Sequence, residues 1–494
     1  MGTDHLDKLA RIRNRAGRPY TPGIEGEELE RFLVSSEDLR HAVDQALAEQ
    51  ERLIAARPEL VALDEEKLAG RLQEDYLNFY PANTRTPFVP IAAQGPWIVT
   101  LYGAVVYDSA GYGMLGLGHN PPALLEVLGE PRVMANVMTP SFSQERFAGR
   151  LRREIGHRRG ACPFHRFLCM NSGSEAVSVA ARIVDIHTLE QTMPGGAREG
   201  RRVKRLTLTG SFHGRTYRAA RVSHSTRAVY RENLASFRGV DDLVTVPPND
   251  LEALAEAFRR ADEEDHFFEA FYMEPVMGEG MPGRAITREF YDLARELTGK
   301  HGSLLVMDSI QAGIRAQGCL SVVDYPGFED CRAPDCETYS KALNAGQYPL
   351  SVLALGEKMA SLYVPGVYGN TMTTAPRGLE LGCLVLESIT EELRRNIREK
   401  GREFLTGLER VAAEFPGAVR SVSGTGLLLG LELDPDRYEV VADEGGVEET
   451  MRRHGIYMIH GGKNSIRFTP HFRVTTDEIE LICGVTRRAL KELG

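Results

Sequence analysis

The chain has 494 residues, 42% of them hydrophobic and 26% charged, with a formal net charge of −10. That length predicts two or more lobes of a soluble globular protein, and the acidic balance leaves no basic surplus for a nucleic-acid partner. Seven cysteines without a CxxC pair indicate neither a disulfide framework nor a zinc site; with no apolar leader and no apolar run of spanning length, a cytoplasmic protein without a membrane partner is expected.

Residues 1–94 read as an N-terminal helical arm. In "SSEDLRHAVDQALAEQERL" (35–53) Ser35 stands three before Asp38, and Leu39, Val43 and Leu47 share one helical face, which predicts a capped amphipathic helix. "YPANTRTPFVP" (80–90), with three prolines, predicts an irregular crossing segment. Over 95–375 short apolar strands alternate with helices. "FHRFLCM" (164–170), "VKRLTLTG" (203–210), "EAFYMEP" (269–275) and "GSLLVMD" (302–308) read as strands, and "TREFYDLARELTGKHG" (287–302) as a helix. The alternation predicts a large α/β domain with a mainly parallel sheet, whose ligands sit at the carboxyl ends of the strands. Residues 376–494, with a long helix (379–410), an antiparallel pair around "GTGLLLGLEL" and a closing amphipathic helix, predict a smaller α+β domain.

Several motifs bear on chemistry. "GYGMLG" (111–116) satisfies GxGxxG by its letters, but Pro121 and Pro122 fall where a phosphate-binding helix would be running, so the match is set aside. In "CMNSGSEAVSVAAR" (169–182) a strand ends, Ser172, Gly173 and Ser174 turn, and a helix begins at about Glu175. Such a start is either an anion site or a plain capping box. Phe212 in "GSFHGRTY" follows a strand, placed for core packing or for stacking on a ring. Asp308 closes an apolar strand, as a loop cap or as a buried carboxylate with a cationic partner. Lys341 in "CETYSKALNAGQYP" (336–349) is either a snorkelling surface lysine or a buried amine kept as a nucleophile for a carbonyl. Each feature alone is ambiguous. Their order is what pyridoxal 5′-phosphate requires: phosphate turn, stacking aromatic, pyridinium partner and Schiff-base lysine at successive strand ends.

On these residues the sequence resembles the class III, ornithine- and ω-aminotransferase-like, pyridoxal-phosphate enzymes of fold type I, from about residue 95 to the C-terminus. "NSGSEA" is similar to the family's phosphate turn and implies Gly173 and Ser174 at the phosphate. "FHGRT" implies Phe212 and His213 at the ring and Arg215 at a substrate carboxylate. "MEPVMGEG" resembles EPxQGEGG, implying Glu274 near the cofactor and Glu279 facing substrate. "MDSIQAG" resembles DExQTG, implying Asp308 at the ring nitrogen and Gln311 near the ring hydroxyl. "SKALNAGQYPLSVLALG" carries Lys341, and "YGNTMTT" resembles HGxT, whose threonine, here Thr371, reaches the neighbouring subunit's cofactor in a homodimer. "SIRFTPHFRVTTDEIE" resembles RxxPPLxxTxxE and implies Arg467 at a carboxylate or paired with Glu279; Tyr112, seven before His119, matches an active-site aromatic. Ser309, Met277, Thr373, Thr374 and His471 depart from the family pattern, and the arm is longer than usual. The resemblance implies transamination between an amino acid or ω-amine and a keto acid. The rival keeps the cofactor for racemisation, elimination, replacement or carbon–carbon bond formation. Lys341, Asp308 and Gln311 together count against a non-catalytic relative.

Overall fold

The computed structural model describes residues 2–443 and 445–494. Two compact units are distinguished: Glu126–Arg398 with Gly424–Leu428, and the chain up to Leu125 with Glu399–Ser423 and Leu429–Gly494.

The first unit is built on seven strands: β1 (Arg166–Met170), β2 (Arg202–Leu208), β3 (Leu243–Val246), β4 (His266–Met273), β5 (Leu304–Asp308), β6 (Cys336–Tyr339) and β7 (Ser351–Leu355). They lie in the order β1-β7-β6-β5-β4-β2-β3. All neighbours run parallel except β7, which is antiparallel to both β1 and β6. Every residue of β4, β5, β6 and β7 is buried, as helices covering both faces of a parallel sheet require, which is why these strands read as continuous apolar runs. Helix Gly173–Thr192 lays Val177, Ala180, Ile183 and Val184 against Met170, Tyr272, Val306 and Leu353. Helix Arg288–His301 is capped by Thr287, whose hydroxyl accepts from Phe290 N–H, and ends on left-handed Gly302.

Two boundaries differ from expectation. The helix expected at Glu175 starts at Gly173, because Ser172 takes the cap and Glu175 closes a capping box from the third helical position. The single helix expected over 379–410 is two, Pro376–Ser388 and Glu391–Glu414. Ile389 leaves helical geometry at ψ 76, and the Thr390 hydroxyl accepts from Leu393 N–H to start the second helix.

In the second unit the arm forms helices Gly2–Arg13, Gly26–Ser35 and Glu37–Ala56. The cap of the last is Ser36, whose Oγ accepts from Leu39 N–H at 3.2 Å; Ser35 ends the preceding helix and donates to Arg31 O. Leu39 and Val43 are buried as the periodicity predicts, and Leu47 is half-buried. Beside them lies a sheet in the order Pro90–Gln94, Trp97–Thr100, Val105–Asp108, Ile456–Tyr457, its last pair parallel. The buried Gln50 amide donates to Ile12 O and Leu101 O, joining arm to sheet. A further sheet runs Val419–Thr425, Leu428–Leu433, Ser465–Phe468, Ile459–Gly461, and helix Thr476–Leu493 closes the chain. Among the described residues no helix is long and apolar enough to cross a membrane.

Candidate active site

The parallel sheet gathers the chemistry at its carboxyl ends. Asp308, the last residue of β5, is buried; one carboxylate oxygen accepts from His213 Nδ1 at 2.8 Å, the other from the Thr338 hydroxyl and from Ile310 N–H, each at 3.1 Å. Asp308 thus caps its own turn and has an imidazole partner. Thr338 reaches it because β5 and β6 pair Asp308 opposite Thr338. His213 is buried in turn, its N–H donating to Ser223 Oγ at 2.9 Å and its Nε2 3.2 Å from Thr207 Oγ1. A carboxylate held this way by fixed donors is suited to accepting a hydrogen bond from a neighbouring ring nitrogen.

Lys341 opens the turn after β6. Its backbone lies in the left-handed region at φ 46, which a non-glycine residue adopts only where its surroundings impose it. The side chain is half-buried and its ammonium donates to Gln311 Oε1. The Gln311 Nε2 is buried without a hydrogen-bond partner among the described residues. A buried amide donor left this way costs about 1–3 kcal/mol, so it marks a place where an acceptor belongs.

The phosphate turn is equally defined. Ser172 caps the helix, and Gly173 and Ser174 supply its first N–H groups. Gly214, at φ +120, packs so closely that a Cβ there would lie 2.2 Å from Ser174 Oγ. That approach lets Arg215 N–H donate to Ser174 Oγ and the Thr216 hydroxyl donate to Ser174 O. Phe212, half-buried, stands two residues before Gly214; the Arg215 guanidinium lies 5.5 Å from its ring centre.

Two buried carboxyls flank Asp308. Glu274 accepts from Phe212 N–H at 3.0 Å and from Gly278 N–H at 2.9 Å. Burial pushes it up to about 7 against the pull of His213. Glu337 on β6 accepts from the Ser309 and Ser321 hydroxyls, each at 2.5 Å, and from Val322 N–H at 3.0 Å, and burial raises it to about 7 as well. Ser309, a departure from the family pattern, thus donates to a carboxylate that the next strand brings. Sequence reasoning missed Glu337 and Thr338, because a cross-strand partner carries no local signal. Of the other departures, Met277 is fully buried, His471 pairs with Glu478, and Thr374 adopts φ 57, the backbone expected where glycines are common.

Gly173, Ser174, Phe212, His213, Arg215, Glu274, Glu279, Asp308, Gln311, Lys341 and Thr371 all belong to the sheet unit. One Glu279 oxygen is buried without a partner among the described residues, and Thr371 is exposed. Tyr112 and Arg467 belong to the other unit. Tyr112 lies in a short helical turn just after Val105–Asp108, so no long helix follows "GYGMLG" and the dinucleotide reading stays set aside. Arg467 is buried on strand Ser465–Phe468.

Pyridoxal 5′-phosphate fits this donor set. Its phosphate matches the N–H groups at a helix start, its pyridine nitrogen a fixed carboxylate, its phenolic oxygen the orphaned Gln311 amide, and its aldehyde a lysine amine beside both. The sheet order and this constellation define a fold-type I pyridoxal-phosphate-dependent transferase. The model of the family described as aminotransferase class-III matches residues 79–490, and the chain belongs to that family. It is 28% identical over 390 residues to an acetylornithine aminotransferase of Thermosynechococcus vestitus, covering 78% of this chain and 88% of that protein. Against the mitochondrial acetylornithine aminotransferase of Debaryomyces hansenii the identity is 24% over 448 residues, 87% and 91% of the two chains. The fold superposes on the ornithine aminotransferase of Toxoplasma gondii with a TM-score of 0.72 at 22% identity, over 89% of this chain and 98% of that one. The reaction is accordingly pyridoxal-phosphate-dependent transamination, and the rival outcomes of the same cofactor are not favoured.

Proposed function

We propose that Lys341 is the amine that carries the cofactor, and that the enzyme moves an amino group between an amino acid or ω-amine donor and a keto acid. The observation that carries this reading is the Lys341–Gln311 contact just beyond the ends of β5 and β6, the strands that also carry the Asp308–Thr338 pair. When bound, the cofactor supplies an electron sink that makes the substrate bond next to nitrogen labile. Asp308, fixed by His213 and Thr338, holds the proton on the ring nitrogen. Gly173 and Ser174 anchor the phosphate, Phe212 covers the ring face, and the Gln311 amide donates to the ring oxygen. Lys341, with its amine free, would be the base and then the acid for the migrating proton. Glu274, raised by burial, keeps the Phe212 turn in place through Phe212 N–H.

Arg215 and Arg467 offer planar forks suited to carboxylates, and Glu279, with an oxygen unpartnered, a charge for the donor. The relatives named for acetylornithine and ornithine support a donor of that kind. A homodimer with shared sites belongs to the same reading. Thr371 faces outward, and Val133, Met138 and Phe142 expose 76, 85 and 81% of their surface within one segment, more apolar area than a solvated loop ordinarily carries. A cytoplasmic setting is supported by seven free cysteines. Borohydride reduction of the holoenzyme followed by peptide mapping tests the central assignment. The reduced adduct is expected on Lys341, and an adduct on any other residue refutes it.

A further inference from the structure

Tyr112 is held in an unusual way. It sits at φ 47, ψ 23 between Gly111 at φ 47 and Gly113 at φ 73, three successive residues in left-handed backbone. Glycine takes this conformation freely; a tyrosine does so at a steric cost and only where the surroundings over-determine it. The loop is fixed on several sides. Asp108 accepts from Ala110 N–H at 2.9 Å and Gly111 N–H at 2.7 Å; Gly113 N–H donates to Thr469 Oγ1, and that hydroxyl donates to Ala110 O. None of these bonds fixes the Tyr112 ring, which is 38% exposed.

What fixes the ring is Tyr457, 345 positions along the chain: the two phenol hydroxyls are hydrogen-bonded to each other. Tyr457 is itself immobilised. Its ring is buried edge-on against Phe88 at 5.6 Å, with the Arg452 guanidinium 5.2 Å from its centre. Arg452 is buried and paired with Glu448, and donates to Thr84 O at 2.8 Å and Met458 O at 3.1 Å. The Tyr457 carbonyl also accepts from both the N–H and the hydroxyl of Ser109, at the foot of the same loop. Burial and the adjacent Tyr112 hydroxyl push the Tyr457 phenol above its ordinary value, so it stays neutral.

We infer that Tyr457 is a positioning residue for the substrate site: its hydroxyl fixes the Tyr112 hydroxyl and thereby sets the affinity for the amino donor. The inference rests on the reading of Tyr112 as a substrate-binding residue. Preorganisation of this kind lowers the ordering cost when a ligand binds and leaves the reacting atoms untouched.

The test uses holoenzyme and the donor that fastest bleaches the cofactor's visible absorbance, drawn from ornithine, acetylornithine, lysine, 4-aminobutyrate and β-alanine. Tyr457→Phe keeps the ring, the Arg452 contact and the backbone bonds to Ser109. It is expected to raise the donor KM about 3- to 10-fold, the value of one hydrogen bond, with kcat within about twofold. Tyr112→Phe is expected to raise it at least as much, and the double variant no further than Tyr112→Phe alone. The same cycle on the thermal stability of the apoenzyme reads the hydroxyl pair without catalysis. Non-additive stability with unchanged KM makes the pair merely structural and overturns the inference, as does full additivity in both readouts. Absence of bleaching by every donor in the wild type overturns the proposed function first, and this inference with it.

Discussion

Lys341, two residues after β6, and Tyr112, four residues after Val105–Asp108, both carry a large side chain on left-handed backbone, at φ 46 and φ 47. Around Lys341, strand register sets the frame: Asp308 at the end of β5 lies opposite Thr338 on β6, Gln311 stands in the turn after Asp308, and the Lys341 ammonium donates to Gln311 Oε1. Around Tyr112, the partner comes from a two-residue strand near the far end of the chain, which pairs with Val105–Asp108 only once both segments have folded. The first arrangement is a property of the sheet's topology. The second depends on contacts between segments far apart in the chain.

The comparison can be broken at its strongest point first. Lys341→Ala is expected to lower turnover on the order of 10³-fold or more, since it removes the group proposed to transfer the proton. Single-turnover bleaching with a good donor measures it, and near-normal activity would remove Lys341 from the site. Asp308→Asn is next, with kcat down about 10²- to 10³-fold from loss of a preorganised charge. His213→Gln, which acts on Asp308 from behind, is expected to cost less, and an equal cost would move His213 into the chemistry.

A third prediction concerns pH. Glu337 is raised from an ordinary value near 4.5 to about 7 by burial. The folded chain therefore keeps a proton that the unfolded chain has lost, and apoenzyme stability falls as pH rises between those values. The arithmetic of the shift gives up to about 3 kcal/mol across that window. Glu337→Gln, measured by urea unfolding at pH 5 and pH 8, is expected to flatten the fall, and an unchanged slope would assign it elsewhere. Smallest is the loss of the Ser172 cap: Ser172→Ala is expected to destabilise by about 1 kcal/mol in thermal unfolding. If Ser172→Ala leaves cofactor retention unchanged, the phosphate turn is held by Gly173 and Ser174 without help from the cap.

The amphipathic arm, the alternation of strands and helices, and the strand-end positions of Asp308 and Lys341 follow from hydrophobic period and residue type, which act over a few residues. Other features were not legible. The cap falls on Ser36 because a preceding helix, Gly26–Ser35, runs through Ser35. The break at Ile389 depends on a local geometry that the continuous amphipathic pattern conceals. "GYGMLG" was correctly set aside as a phosphate loop, but its letters do not announce a strained tyrosine.

What the sequence by itself determined was the set of chemical groups and their order along the chain, because side-chain chemistry and local periodicity need no distant partner. What the tertiary structure alone decided was which groups touch: His213 and Thr338 on Asp308, Ser309 on Glu337, Tyr457 on Tyr112. Hydrogen bonds are short and directional, so a contact between residues tens or hundreds of positions apart exists only when packing brings them within about 3 Å.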